Sequence, residues 1–129
     1  MISDEIQAVV AGHLCLDIIP DLGQVAVQPA QFFVPGKLVE AGPATLSTGG
    51  PVSNTGLALL KLGIPTALMG KVGDDPFGTL VRLILERWNA REGLVVVPDG
   101  TTSYTVVLSP GGLDRMFIHD PAANTTFGA

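Results

Sequence analysis

The sequence predicts an α/β fold: a mostly parallel sheet with flanking helices, and a small β-sheet set beside it. Three observations carry this. Short apolar, β-branched runs alternate with helical patterns, the order that builds parallel sheets. Between Phe77 and Trp88 apolar residues recur at spacings of three and four, as in a helix packed along one face. The segments 32–47 and 104–119 hold β-type pieces broken by Gly and Pro, which fit no plain alternation of strand and helix.

In chain order, Gln7 to Asp17 opens with Ala8-Val9-Val10-Ala11-Gly12 and continues to Leu16-Asp17. It reads as one buried strand ending in a polar residue. Residues 20–31, with Pro20, Gly23 and Pro29, read as loop. Phe32 to Ser47 is broken at Pro35-Gly36 and Gly42-Pro43 and reads as one or two hairpins. Gly49-Gly50-Pro51 interrupts the chain. Asn54 to Leu62 then reads as a helix with Leu57, Leu60 and Leu62 as its apolar stripe and Gly63 as its stop.

Thr66 to Val72 is a second buried strand. Asp75 can cap the next helix, with Pro76 in its first turn. Phe77, Leu80, Val81, Ile84, Leu85 and Trp88 form that helix's apolar side, and Arg82, Glu86 and Arg87 its solvent side. Gly93 closes it, and Leu94 to Pro98 is a third strand. Tyr104 to Leu108 and Arg115 to His119 make a hairpin around Pro110-Gly111-Gly112.

Composition bounds the function. A length of 129 residues fits one domain. With 47% hydrophobic and only 15% charged residues, the chain has material for a core and does not read as disordered. The net charge is −5 and the seven basic residues are scattered. No basic footprint exists for nucleic acid or for an anionic membrane surface. Cys15 stands alone, which excludes an intrachain disulfide and a zinc site built on several thiolates. The acidic start and the absence of a long apolar run, with Lys61, Pro65 and Lys71 interrupting the best candidates, make a cytoplasmic protein the expectation.

Three motifs carry chemistry. Gly49-Gly50-Pro51-Val52-Ser53-Asn54 places a glycine pair ahead of a helix, where backbone can approach a ligand closely. Asn54 offers a donor and an acceptor, which suits a sugar hydroxyl. An ordinary turn with an Asn in the first helical turn would look the same. Asp17, read at a strand's carboxyl end, stands where open α/β sheets bind ligands, although a solvated loop acid or a cap also fits. The acids of Gly73-Asp74-Asp75-Pro76-Phe77-Gly78 are accounted for by a turn and a helix cap rather than a metal site. His13 and His119 are distant in sequence and share no ligand spacing, so each reads as a structural histidine. Cys15 has no evident His partner. Neither a dinucleotide-binding glycine fingerprint, which a Rossmann-type enzyme would need, nor a P-loop occurs.

Taken in order, GHLCLD, a β-rich stretch, GGPVSNTGLALLKLG, TALMGKVGDDPFG, TTSYTVVL and DRMFIH…PAAN resemble the N-terminal part of PfkB-type carbohydrate kinases, the ribokinase-like family. The likeness runs from Val9 to Asn124. It is carried by Gly49, Gly50, Asn54, Gly63, Val72, Gly73, Asp75 and Gly78, whose ordered spacing is far more specific than any one piece.

The resemblance implies a ribokinase-like sheet with a small β-sheet lid, whose strands lie within 32–48 and 103–119. It implies transfer of the γ-phosphate of ATP, with Mg²⁺, to a hydroxyl of a sugar or nucleoside. Asp17, Gly49, Gly50 and Asn54 would line the substrate pocket, and Gly73 and Asp75 would form the turn that supports it. Relatives also dimerise through such lids, so a homodimer through lid strands or an exposed sheet edge is expected.

Two positions depart from ribokinase itself: Cys15 where an Asn precedes the sugar-binding Asp, and Pro51 where a Lys follows the glycine pair. Both are compatible with fructokinase-like or other branches. The family's second motif, D-T-x-G-A-G-D, with the catalytic aspartate and the anion hole, has no counterpart in the sequence. The resemblance therefore implies a fragment of residues 1–129 with no catalytic residue, no metal and no bound cofactor of its own, inactive alone, whose full-length parent uses ATP and Mg²⁺. The alternative is a non-catalytic module that binds a sugar or nucleoside or dimerises through the lid.

Overall fold

The computed structural model describes residues 5–23, 25 and 28–128. Two sheets organise them. The first is parallel and three-stranded, with β1 (Ala8–Ala11), β4 (Thr66–Gly73) and β5 (Leu94–Val97) in the order β1-β4-β5. The second is mixed and four-stranded, in the order β3-β2-β6-β7. It is built from β2 (Cys15–Asp21), β3 (Gly42–Gly49), β6 (Tyr104–Leu108) and β7 (Met116–Asp120). A helical turn α1 (Pro29–Phe32), two helices α2 (Gly50–Lys61) and α3 (Pro76–Glu86), and a 3₁₀ turn (Ala122–Thr126) complete the chain.

The apolar run 7–17 is two strands in two sheets, not one. Gly12, with φ of 138°, lets the chain leave the parallel sheet where its own N–H still donates to Met69 O at 3.0 Å. After His13 and Leu14 the chain enters the second sheet. Leu14 is fully buried, and its backbone is met on both sides by Asn124. The side-chain Nδ2 donates to Leu14 O at 2.8 Å and Oδ1 accepts from Leu14 N at 3.2 Å. The run looked continuous because both halves bury apolar residues.

Three further differences follow from local chemistry. β2 continues through Pro20 to Asp21 because the ladder to β3 breaks register between Ile19 and Asp21, where a residue without an N–H is tolerated. Phe32 to Ser47 does not pair with itself. Only Gly42–Gly49 forms a strand, and it pairs antiparallel with β2. α2 begins at Gly50 rather than Asn54, with Pro51 in its first turn, where a missing N–H costs no helical bond.

One core serves both sheets. Leu14, Leu16, Val52, Leu68, Val72, Val81, Leu85 and Ala90 form it, and Phe77, Leu80, Ile84 and Trp88 of α3's stripe pack against it with Trp88 just past the helix end. Fully burying side chains of the size of Val81 and Leu85 contributes about 1.5–3 kcal/mol each. Both helices lie on this core side, so α2 and α3 cover one face of β1-β4-β5. On the opposite face Val9, Met69 and Val95 are exposed by 58%, 44% and 52%. Among the described residues no helix is long and apolar enough to cross a membrane.

α3 is tied to β6 through one carboxylate. Asp75 Oδ1 accepts from Gly78 N at 2.8 Å and from Thr102 Oγ1 at 2.6 Å, while Oδ2 accepts from Thr102 N at 2.9 Å. Gly73 N donates to Thr102 Oγ1 at 2.8 Å, and a Cβ at Gly73 would strike the backbone of Gly100.

Burial pushes the Asp75 carboxyl up. Hydrogen bonds from the Thr102 hydroxyl, Thr102 N–H and Gly78 N–H outweigh it and leave it below the ordinary 3.8. The unfolded chain therefore binds more protons over that interval. The contribution to stability is whole above about pH 3.8 and fades as the pH falls through the lower folded value. Asp75→Ala is expected to lower stability by about 2 kcal/mol. This should appear as a reduced urea midpoint with an unchanged slope and as a weaker loss of stability on acidification below pH 4.

Candidate functional site

The second sheet sets up a polar row. Register pairs Asp17 with Ser47 on β3 and with Thr105 on β6, and Thr105 with His119 on β7. Residues directly opposite across strands share a face, so Ser47, Asp17, Thr105 and His119 project together. By the two-residue period, Cys15 lies on the same face before Asp17, and Ile19, Val107 and Phe117 lie on it beyond. The other face of β2 carries Leu16 into the core.

This face walls a cavity of about 390 Å³, a size within the usual range of small-molecule sites. Asp17 does not end the first strand, as the sequence suggested. It is the third residue of β2, in the middle of the cavity wall. The start of α2 contributes Gly50 and Asn54, the crossover His13, and the β6–β7 hairpin Arg115 and Phe117. Asn54 also borders a smaller cleft of about 230 Å³ with Ser47 and Lys61.

The two glycines are demanded by their neighbours. Gly49 is buried with extended backbone, and a Cβ there would run into the Asp17 carboxylate. Gly50 has φ of 83°, and a Cβ there would lie 2.7 Å from His13 O. That carbonyl also accepts from Val52 N at 3.2 Å, which fixes the helix start against the crossover. Thus Asp17, Gly50 and Asn54 share the cavity, and Gly49 packs behind the carboxylate. Gly73 and Asp75 do not line it; they sit at the α3–Thr102 junction, three residues before Thr105.

Asp17 is the sole carboxylate and Arg115 the sole guanidinium among the described residues lining the cavity. The Arg115 guanidinium lies 5.8 Å from the Phe117 ring. Cys15 Sγ donates to Asp17 Oδ1 at 3.3 Å and lies 3.5 Å from Thr105 Oγ1, which in turn lies 2.9 Å from His119 Nδ1. Burial pushes the Cys15 thiol up to about 11, so it remains a neutral donor. His13 and His119, distant in sequence, stand with ring centroids 5.2 Å apart. His13 is held below 6.5, first by burial and then by His119, against the opposing pull of Asp17. Among the described residues no group of three His, Cys, Asp or Glu could hold a metal ion.

The site also takes in Thr105, Arg115 and Phe117, to which the sequence assigned no binding role, and His13, His119 and Cys15, which read from the sequence as structural. Their signal was present as odd-numbered alternation at 13, 15, 17 and 19 and again at 115, 117 and 119. It was hidden because residues 7–17 read as a strand buried on both faces.

Comparison with known proteins adds to this geometry. The family model described as pfkB family carbohydrate kinase matches residues 7–128. Fructokinase-1 of Oryza sativa subsp. japonica is 28% identical over 116 residues, which cover 88% of this chain and 32% of the relative. The chain thus spans about a third of the length of the curated relatives it matches. Among solved structures, ribokinase from Giardia lamblia superposes with a TM-score of 0.75 at 19% identity, covering 92% of this chain and 37% of that one. Arabidopsis thaliana ribokinase complexed with ribose and ATP gives 0.67 at 23% identity, covering 91% and 36%. Burkholderia thailandensis nucleoside kinase in complex with inosine gives 0.67 at 19%, covering 90% and 37%. These likenesses establish a ribokinase-like α/β fold.

Gly49→Ala is expected to lower stability by about 1–3 kcal/mol, because the added methyl must displace the Asp17 carboxylate. A reduced urea midpoint checks this. Gly36→Ala, where a Cβ meets no atom within 4 Å but φ is 76°, reports the backbone strain alone.

Proposed function

The chain belongs to the pfkB family of carbohydrate kinases, and we propose that it is the acceptor-binding part of an ATP-dependent kinase that phosphorylates a monosaccharide hydroxyl. The observation that supports this most directly is the meeting of the Asp17 carboxylate and the Asn54 amide in one cavity whose wall continues into Ile19, Val107 and Phe117. A carboxylate accepts from two neighbouring hydroxyls, and an amide both donates and accepts. Ile19, Val107 and Phe117 offer apolar surface to the C–H side of a sugar ring.

A hexose such as fructose is the leading acceptor, since the rice relative is a fructokinase. A nucleoside would present its ribosyl hydroxyls to the same pair.

In this reading Asp17 and Asn54 orient the acceptor, and the lid hairpin β6–β7 excludes water around it. ATP and Mg²⁺ supply the phosphoryl chemistry in the full-length enzyme. Among the described residues no group of three His, Cys, Asp or Glu could hold the metal, and no residue of this chain is assigned to ATP. No proton-transfer step is therefore assigned to this chain, and residues 1–129 alone are proposed to be inactive.

Asp17→Ala in the full-length kinase is expected to raise KM for D-fructose roughly tenfold to a hundredfold, with KM for ATP little changed. Unchanged steady-state constants for every accepted sugar would remove the assignment.

A second reading concerns association. The exposed Val9, Met69 and Val95 lie on the face of β1-β4-β5 turned away from α2 and α3, and exposed apolar side chains of this kind promote contact between copies. We propose that the 129-residue polypeptide self-associates through this face. Light scattering should show a mass that rises with concentration and falls toward the monomer in Val95→Lys. A monodisperse monomer at all concentrations contradicts it.

A further inference from the structure

We propose that Cys15, Thr105 and His119 form a one-way hydrogen-bond relay that positions the Asp17 carboxylate, with His119 donating from Nδ1. The contacts run in sequence across β7, β6 and β2. His119 Nδ1 lies 2.9 Å from Thr105 Oγ1, Thr105 Oγ1 lies 3.5 Å from Cys15 Sγ, and Cys15 Sγ lies 3.3 Å from Asp17 Oδ1.

Counting protons fixes the direction. A carboxylate only accepts, so the single Cys15 proton goes to Asp17. The sulfur can then meet Thr105 only as an acceptor, so the single Thr105 proton goes to sulfur. The Thr105 oxygen is left to accept, and its partner His119 must carry a hydrogen on Nδ1. Burial keeps the thiol protonated and able to serve as donor. Register supports the arrangement, since Thr105 lies directly opposite Asp17 on one side and His119 on the other.

The relay accounts for a cysteine two residues before Asp17. A thiol fills the small buried space beside Gly49, its cross-strand partner, and donates to one carboxylate oxygen. The rest of the carboxylate's acceptor capacity takes no bond from the thiol. Bonds in such a chain polarise one another, so β7 is coupled to the Asp17 carboxylate through Thr105 and Cys15. Cys15, Thr105 and His119 are positioning residues. Their effect on acceptor binding rests on the reading of Asp17 above; the relay itself does not.

The test uses the full chain labelled with ¹⁵N in its histidines, of which there are two, assigned with His13→Gln. In the neutral ring, His119 should show a protonated Nδ1 and an unprotonated Nε2. Cys15→Ala frees the Thr105 proton to turn toward Nδ1, so the His119 signals should exchange character. Cys15→Ser, which restores a donor and acceptor, should return them. A protonated Nε2 with unprotonated Nδ1 in the unmodified chain overturns the relay, whatever the variants do.

In the full-length kinase, Cys15→Ala should raise KM for D-fructose roughly fivefold to tenfold, with recovery in Cys15→Ser. If the tautomer is as stated but Asp17→Ala leaves KM unchanged, the sugar reading fails and the relay stands. If Asp17→Ala raises KM but the tautomer is reversed, the relay alone fails.

Discussion

Everything in this molecule hangs on the paired hydrogen bonds between Asn124 and the backbone of Leu14. Leu14 is where the chain passes from the parallel sheet to the second sheet, and a crossover cannot satisfy its own polar groups. An unpaired buried amide or carbonyl costs about 1–3 kcal/mol, and here both groups belong to a fully buried residue. One side-chain amide answers both, because it carries a donor and an acceptor side by side. With the crossover fixed, even-numbered residues of β2 point into the core and odd-numbered ones into the cavity. A slip by one residue would bury Asp17 and expose Leu16.

A second carboxylate fixes the partner strand. Asp75 joins the start of α3 to Thr102, just ahead of β6, so the entry to β6 is anchored independently of its pairing with β2. Thr105 therefore arrives beside Asp17 with its height already set. The two acids have opposite tasks. Asp75 spends its acceptor capacity on the protein's own amide and hydroxyl groups. Among the described residues Asp17 accepts a side-chain hydrogen bond from Cys15 alone, which leaves acceptor capacity for a ligand. That difference separates a structural carboxylate from one suited to binding.

The sequence made the alternation of elements legible, because helix and strand periods are local. The stripe of α3, the cap at Asp75 and the β6–β7 hairpin were all readable. Asp17, Gly50 and Asn54 were also readable as residues suited to a cavity, and the structure brings them to one. What escaped notice was pairing. Nothing local distinguishes a parallel strand buried on both faces from two half-buried strands joined at a glycine, so residues 7–17 read as one element. The strand Gly42–Gly49 pairs not with its neighbours in sequence but with β2. His13 and His119 escaped for the same reason: their meeting depends on a register that spans most of the chain.

The long reach of these pairings has a consequence for how the molecule comes together. The bond from Asn124 to Leu14 spans 110 positions, and the cavity draws on segments near residues 15, 50 and 115. Contacts between distant positions are slow to form, since loop closure must precede them. The cavity is complete only once the β6–β7 hairpin has docked beside β2 and the start of α2. A small molecule held in that cavity would staple together three segments that are remote from one another along the chain.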